Sequence, residues 1–367
     1  MPLPRLKSVD VFRGATIAAM IIVNAQFSHE DSYSELAHAA WNGWTFADTI
    51  FPCFLFIAGV SIALSTAARL SRGHEHTDLL RHALRRSIVI FTLGVLIDYL
   101  RVPAHAFPYI GFQEHLQLTG VLQKIAICYL VGSQIYVWTG LYGAIAGIIG
   151  LNLLYLGLVH FYPVPGCGPD SLAVNCNFPG YLDKVVLQGF RWNSPAFDPD
   201  GVGAILPAIS SVLFGVVTGH VLLSEQRPLY RFIWLLAGGI LLIAAGQLLS
   251  TWIPINKQLW TTSFAVFMAG LAATALACTM WLVDDRPPQY WYKPLELLGL
   301  NSIAAYLISR LVANLPRVHV AANSLYDDVL ARVASPPNAS LLFAMIVLAA
   351  VYVTIWFMDR RGWRLNL

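Results

Sequence analysis

Charge is what this sequence has least of. Asp, Glu, Lys and Arg together make up 12% of its 367 residues, about half the share found in soluble globular domains. Hydrophobic residues make up 57%, and the mean hydropathy is +0.62. A soluble enzyme of this size has no use for so much apolar surface, so the composition describes a polytopic membrane protein. The formal net charge is only +3 and no basic run appears, which argues against a nucleic-acid partner. There is no HExxH, no CxxC, no P-loop Gly-Lys and no GxSxG. Zinc, dithiol, nucleotide-hydrolysing and serine-esterase chemistry therefore lack support, and no metal is expected. A small-residue cleavage site is also missing after MPLPRLKSVDVFRG, so the first apolar segment reads as a retained helix. Cysteines number five. Cys53, Cys128 and Cys278 lie in apolar segments, where a thiol acts as a small hydrophobe. Cys167 and Cys176 share one polar loop, as a disulfide or as two free thiols.

What is present is a series of long apolar runs. A spanning helix needs about 20 mostly apolar residues. On that measure ten spans are expected, near 11–28, 46–68, 84–101, 118–138, 140–161, 202–223, 230–251, 260–282, 295–315 and 339–358. The fold class is thus all-α, one transmembrane domain over 1–367. The longest polar connection, 163–200, is rich in Pro, Gly and Asn and reads as an ordered loop at best. Basic residues mark one set of ends: Arg5, Lys7 and Arg13; Arg69, Arg72, Arg81, Arg85 and Arg86; Arg227 and Arg231; Arg286 and Lys293; Arg360, Arg361 and Arg364. The alternate ends are poorer, with Arg101, Lys184, Arg191 and Lys257; the exception, 310–338, holds Arg310, Arg317 and Arg332. The positive-inside rule then places both termini in the cytoplasm, and the loops holding His38 and Cys167 on the periplasmic side.

Polar groups inside such a chain are costly and point to function or to helix pairing. Asp10 and Arg13 can pair at i,i+3 on the first helix. Asn24 ends that helix. HAAWNGWTFADTIFPCF (38–54) then sets His38, Trp41, Asn42 and Asp48 between two spans. Asp48 can cap the second helix or do chemistry. His38 can accept and return a proton near neutral pH. It gains weight because an outward-ending helix, a short loop and an inward-starting helix gather Asn24, Asn42 and Asp48 at the same membrane face. Further polar clusters are Gln123 and Lys124 in LQKIAICY, Asp198 in FDPDG, Lys257 in PINKQLWTTSF, and Asn301 in LGLNSIAAYLISR.

RLKSVDVFRG, VNAQF, HAAWNGWTFADTIFPCFLFIAGVSIALS, GVLQKIAICYL, FDPDGVGAILPAI, PINKQLWTTSF and LGLNSIAAYLIS occur in that order. Together they resemble the membrane domain of the heparan-α-glucosaminide N-acetyltransferase family and its bacterial relatives. The resemblance implies transfer of an acetyl group from cytosolic acetyl-CoA to the amine of an amino sugar across the bilayer. The lysosomal enzyme carries an extra amino-terminal span and a luminal domain before these blocks, so the resemblance points to a bacterial inner-membrane form. His38 falls in the block of the family's catalytic histidine, and Asn24 matches its active-site asparagine.

Acyl transfer to an amine needs a base, an oxyanion donor and a thioester held still. The residues suit this: His38 as general base, Asn24 as oxyanion donor or orienter, and Asp48 fixing the His38 tautomer. An acetyl-histidine intermediate is the alternative to direct transfer. Arg85, Arg86, Gln123, Lys124 and Asn301 are candidates for acetyl-CoA. Trp41, Asn42, Asp198 and Lys257 are candidates for the amino sugar. Lipid bilayer and amino-sugar substrate are the expected partners, and a homodimer is compatible with the sequence. The rival class is a proton-coupled transporter of an amino sugar, which the buried polar groups would also serve.

Overall fold

The computed structural model describes residues 6–27, 32–100, 116–188, 190, 197–224, 227–284, 290–314 and 324–363. Arg5, Arg101, Arg191, Arg286, Arg317 and Arg364, which help to orient the chain, lie outside them.

Every segment expected to span is helical. In chain order the long helices are α1 (Lys7–Asn24), α2 (Phe46–Leu70), α3 (His76–Leu100) and α4 (Val121–Phe161). A short helix α5 (Phe178–Val186) follows, then α6 (Ile205–Ser224), α7 (Pro228–Leu249), α8 (Thr262–Val283), α9 (Lys293–Leu300), α10 (Ser302–Asn314) and α11 (Pro336–Arg360). Among the described residues, six helices are long and apolar enough to cross a membrane: α2, α4, α6 with its preceding turn, α7, α8 and α11. That makes the protein a multi-pass, mostly helical membrane protein. Helix α1 has Lys7, Asp10 and Arg13 in its first half, α3 holds Arg85, Arg86 and Asp98, and α9 and α10 are short.

Three details depart from the sequence reading. The expected spans 118–138 and 140–161 form the single 41-residue α4, interrupted only where Gly140 takes φ 65°. Glycine alone enters that region at little cost, so the break falls between the two expected spans. The expected span 295–315 is two helices, because the chain leaves helical geometry at Asn301. The connection 163–200 is more than an ordered loop. It holds an antiparallel pair, β1 (Leu172–Ala173) with β2 (Cys176–Asn177), and then α5. Cys167 and Cys176 are disulfide-bonded, with Cα atoms 5.6 Å apart. Asn177 caps α5, its Oδ1 accepting the Gly180 amide at 2.7 Å, with Pro179 in the first turn.

The chain divides into two compact units. The first comprises Trp41–Gly43 and Pro52–Ala277 of the described residues. Its helices meet through small residues. A Cβ at Gly59 would strike the carbonyl of Val212, and one at Gly215 that of Phe56. Glycine at both sites lets α2 and α6 approach closely, as in other membrane helix pairs. Their interface buries Leu55, Phe56, Val60, Leu213 and Val216 almost completely. The second unit comprises Arg5–Ala40, Trp44–Phe51 and Cys278–Leu367. Here α1 packs on α9, where Gly14 faces the Leu295 carbonyl and Gly299 faces that of Asp10. Asp10 and Arg13 pair at 3.1 Å. The segment after α1 is tied to α11 and the turn before it: Ser340 of α11 donates to Gln26 at 2.9 Å, and Phe27 stacks on Tyr326 with ring centres 3.6 Å apart.

Candidate active site

The second unit holds a histidine–carboxylate pair built by a helix start. Thr45 precedes α2, and Asp48 lies in its first turn. The Asp48 Oδ2 accepts the Thr45 amide at 3.1 Å, the reciprocal half of a capping box. The same oxygen accepts the Ala39 amide at 3.0 Å. The Thr45 hydroxyl donates to the Ala37 carbonyl at 2.7 Å, closing the loop onto the helix. Asp48 is therefore fully buried and held at one oxygen by two backbone donors. Its other oxygen, Oδ1, faces His38 Nδ1 at 2.8 Å. The His38 side chain keeps 36% exposure while that of Asp48 has none. One group presents itself outward; the other is locked behind it. Asn24 is the exposed last residue of α1. No hydrogen bond joins it to His38 among the described residues. Asn301, at the break between α9 and α10, is buried and donates its side-chain amide to the Leu297 carbonyl at 3.1 Å.

A second polar cluster lies in the first unit. Lys124, one turn into α4, is 1% exposed. Its Nζ donates to the Pro199 carbonyl at 3.0 Å and sits 4.2 Å from the centre of the Trp260 ring. Desolvated cation–π contacts of this kind contribute about 2 kcal/mol. Thr119 donates its hydroxyl to Asp198, and Gln123 donates to Asp98 at 3.0 Å. Asp183, in α5, accepts the Gly203 amide at 2.9 Å. Burial pushes its carboxyl up to about 6, against the opposing pull of that amide. Asp200 is also raised by desolvation, with Lys124 opposing. The surroundings of Lys124 are thus acid-rich, suited to a cation more than to a phosphate.

The same unit gathers the acceptor candidates. Trp41 donates its indole N–H to the Leu172 carbonyl at 3.0 Å and packs edge-on against Phe197, the neighbour of Asp198. Asn42 accepts from Asn256 at 3.1 Å, next to Lys257. Arg85 and Arg86 lie more than two turns into α3. Arg85 is exposed, and the Arg86 guanidinium stands 5.0 Å from the centre of the Tyr129 ring.

Sequence reasoning did not single out Trp260. It is wholly buried, donates to Ser211 Oγ at 3.1 Å and has φ 50°. A bulky residue in that region is strained, and such strain collects at functional sites. Its side chain forms the face beneath Lys124, a contact between segments more than a hundred residues apart that no periodicity in the sequence signals. Asp200, inside the quoted FDPDG, and Thr119, just before GVLQKIAICYL, were likewise not singled out.

The sequence profile described as heparan-alpha-glucosaminide N-acetyltransferase, catalytic, matches residues 5–247. The heparan-alpha-glucosaminide N-acetyltransferase of Homo sapiens is 28% identical over 355 residues, covering 83% of this chain and 52% of that protein. Its counterpart in Mus musculus is 28% identical over 362 residues, covering 84% and 54%. The chain thus spans about half the length of the curated relatives it matches. With the profile covering most of its length, the chain belongs to the heparan-alpha-glucosaminide N-acetyltransferase catalytic family.

Proposed function

We propose that the protein is a transmembrane acyltransferase that moves an acetyl group from cytosolic acetyl-CoA to the amine of an amino sugar at the periplasmic face of a bacterial inner membrane. The observation that carries this reading is the His38–Asp48 pair at 2.8 Å, with the carboxylate buried and anchored at its other oxygen. Ionised Asp48 keeps the proton on His38 Nδ1, which makes Nε2 the basic nitrogen. The acceptor nitrogen attacks the thioester carbonyl carbon and passes its proton to Nε2. The tetrahedral intermediate then expels the thiolate of CoA, which recovers that proton from the imidazolium, and the amide remains on the sugar. Asn24, exposed at the end of α1, is the proposed donor to the oxyanion. The phosphates of the donor stay on the basic, cytoplasmic side, and both chain termini lie on that side.

The test uses purified protein in detergent with acetyl-CoA and a panel of amino sugars, following free thiol. Acceptor-dependent thiol release is expected. His38→Ala should reduce it by about 10²–10⁴-fold, the usual contribution of a general base, with the melting temperature unchanged. Sugar uptake into vesicles without thiol release would replace this reading by a carrier.

A further inference from the structure

Helix α3 carries a cluster of basic side chains beside an apolar groove. Arg69 at the end of α2 donates to His82 Nε2 at 2.8 Å, which gathers Arg69, His82, Arg85 and Arg86 at the first half of α3. Among the described residues none of these three arginines is paired with a carboxylate, although Arg81, one turn away, pairs with Asp78 at 3.4 Å. The Arg86 Nε is buried without a hydrogen-bond partner.

Immediately beyond this basic cluster, α3 and α4 leave a groove between them. Its walls include Ser87, Ile88, Phe91, Thr92, Ile127 and Leu130. Ile88 and Ile127 are 55% and 39% exposed, so the groove opens on the outer apolar face. Ser87 is 4% exposed, and its hydroxyl has no partner. Thr16 and Ser61, by contrast, each donate back to a carbonyl of their own helix. A buried, unmatched hydroxyl costs free energy that a ligand acceptor can recover. Arg85, Ile88 and Thr92 follow at i, i+3 and i+7, so the cation, the groove wall and its far end share one stripe of the helix.

We propose that this groove seats an anionic glycerophospholipid from the bilayer. Its phosphate meets Arg85 and Arg86, a glycerol ester carbonyl accepts from Ser87, and an acyl chain lies along Ile88, Phe91, Ile127 and Leu130. The apolar continuation selects a lipid over a soluble phosphate, and the uncompensated arginines select an anionic headgroup over a zwitterionic one. The assignment stands apart from the acetyl-transfer reading.

Native mass spectrometry of the detergent-purified protein, offered equal phosphatidylglycerol and phosphatidylcholine of the same chains, tests it. Wild-type protein retains phosphatidylglycerol preferentially. Replacing two arginines, Arg85→Gln with Arg86→Gln, lowers the preference about 30-fold, at roughly one kcal/mol per cation. The Arg85→Lys, Arg86→Lys pair keeps most of it, Arg81→Gln keeps all of it, and Thr92→Trp, which fills the groove, weakens both lipids. Equal retention of the two lipids by wild type overturns the proposal. So does an undiminished preference in the Gln pair, or undiminished retention of both lipids by Thr92→Trp. Displacement of phosphatidylglycerol by excess acetyl-CoA also overturns it, giving the arginines to the donor; loss of acetyl transfer alone leaves it standing.

Discussion

The sharpest consequence of the active-site geometry concerns Asp48→Asn. Asparagine is nearly the same shape as aspartate, so packing at this fully buried position is kept. The Oδ2 position accepts two backbone amides, from Ala39 at 3.0 Å and Thr45 at 3.1 Å. An asparagine must place its oxygen there. Turning the amide over would set an NH₂ group against both backbone donors and leave them unpaired, at about 1–3 kcal/mol each. The NH₂ therefore faces His38 Nδ1 across the 2.8 Å contact. A donor there forces Nδ1 to accept, and the imidazole proton moves to Nε2. The base nitrogen disappears while the loop stays in place. The loss of turnover expected from a wrong tautomer is about 10⁴-fold, alongside a stability change of about 1 kcal/mol for exchanging charged for neutral hydrogen bonds. Acceptor-dependent thiol release and thermal unfolding in detergent, measured together, check this. Asp48→Ala is the contrast: it removes the helix cap and should lower stability by about 2 kcal/mol or more. If Asp48→Asn retains a tenth or more of wild-type turnover, the carboxylate is a cap and nothing else, and the tautomer argument fails.

Lys124→Ala removes the cation from among Asp198, Asp200 and Asp183 and uncovers the Trp260 face. Stability should fall by about 3–5 kcal/mol, as for other broken buried charge clusters; a loss under about 1 kcal/mol in thermal unfolding would show that the cluster is not electrostatically coupled. Asp183 gives a pH dependence of defined sign. Its folded carboxyl is raised to about 6 from the ordinary 3.8 of an aspartate. The folded state therefore binds this proton more tightly, so its contribution is fully present below pH 3.8 and is lost as pH rises through 6. The loss amounts to about 3 kcal/mol at 1.36 kcal/mol per pH unit. Asp183→Asn should flatten that slope in melts taken between pH 4 and 7, and an unchanged slope would assign the titration elsewhere.

Helical class, the position of nearly every helix and the pairing partner of His38 were all present in local sequence. Apolar runs of sufficient length dictate helices in a bilayer, because backbone groups there must satisfy one another. Thr45 and Asp48 stand at capping-box spacing, and a loop of nine residues leaves His38 little room to be anywhere but beside Asp48. The break at Asn301 was not legible, since an apolar run reads the same whether or not one residue leaves helical geometry. Nor was the shelter of Lys124, which depends on a carbonyl 75 positions away and on Trp260 in an unusual backbone conformation. Composition and spacing report what lies within a few turns of the chain. Which distant groups share a low-dielectric interior, and hence which charges are compensated and which wait for a partner, is set by helix packing, where close approach of Gly59, Gly215 and their facing carbonyls decides the geometry.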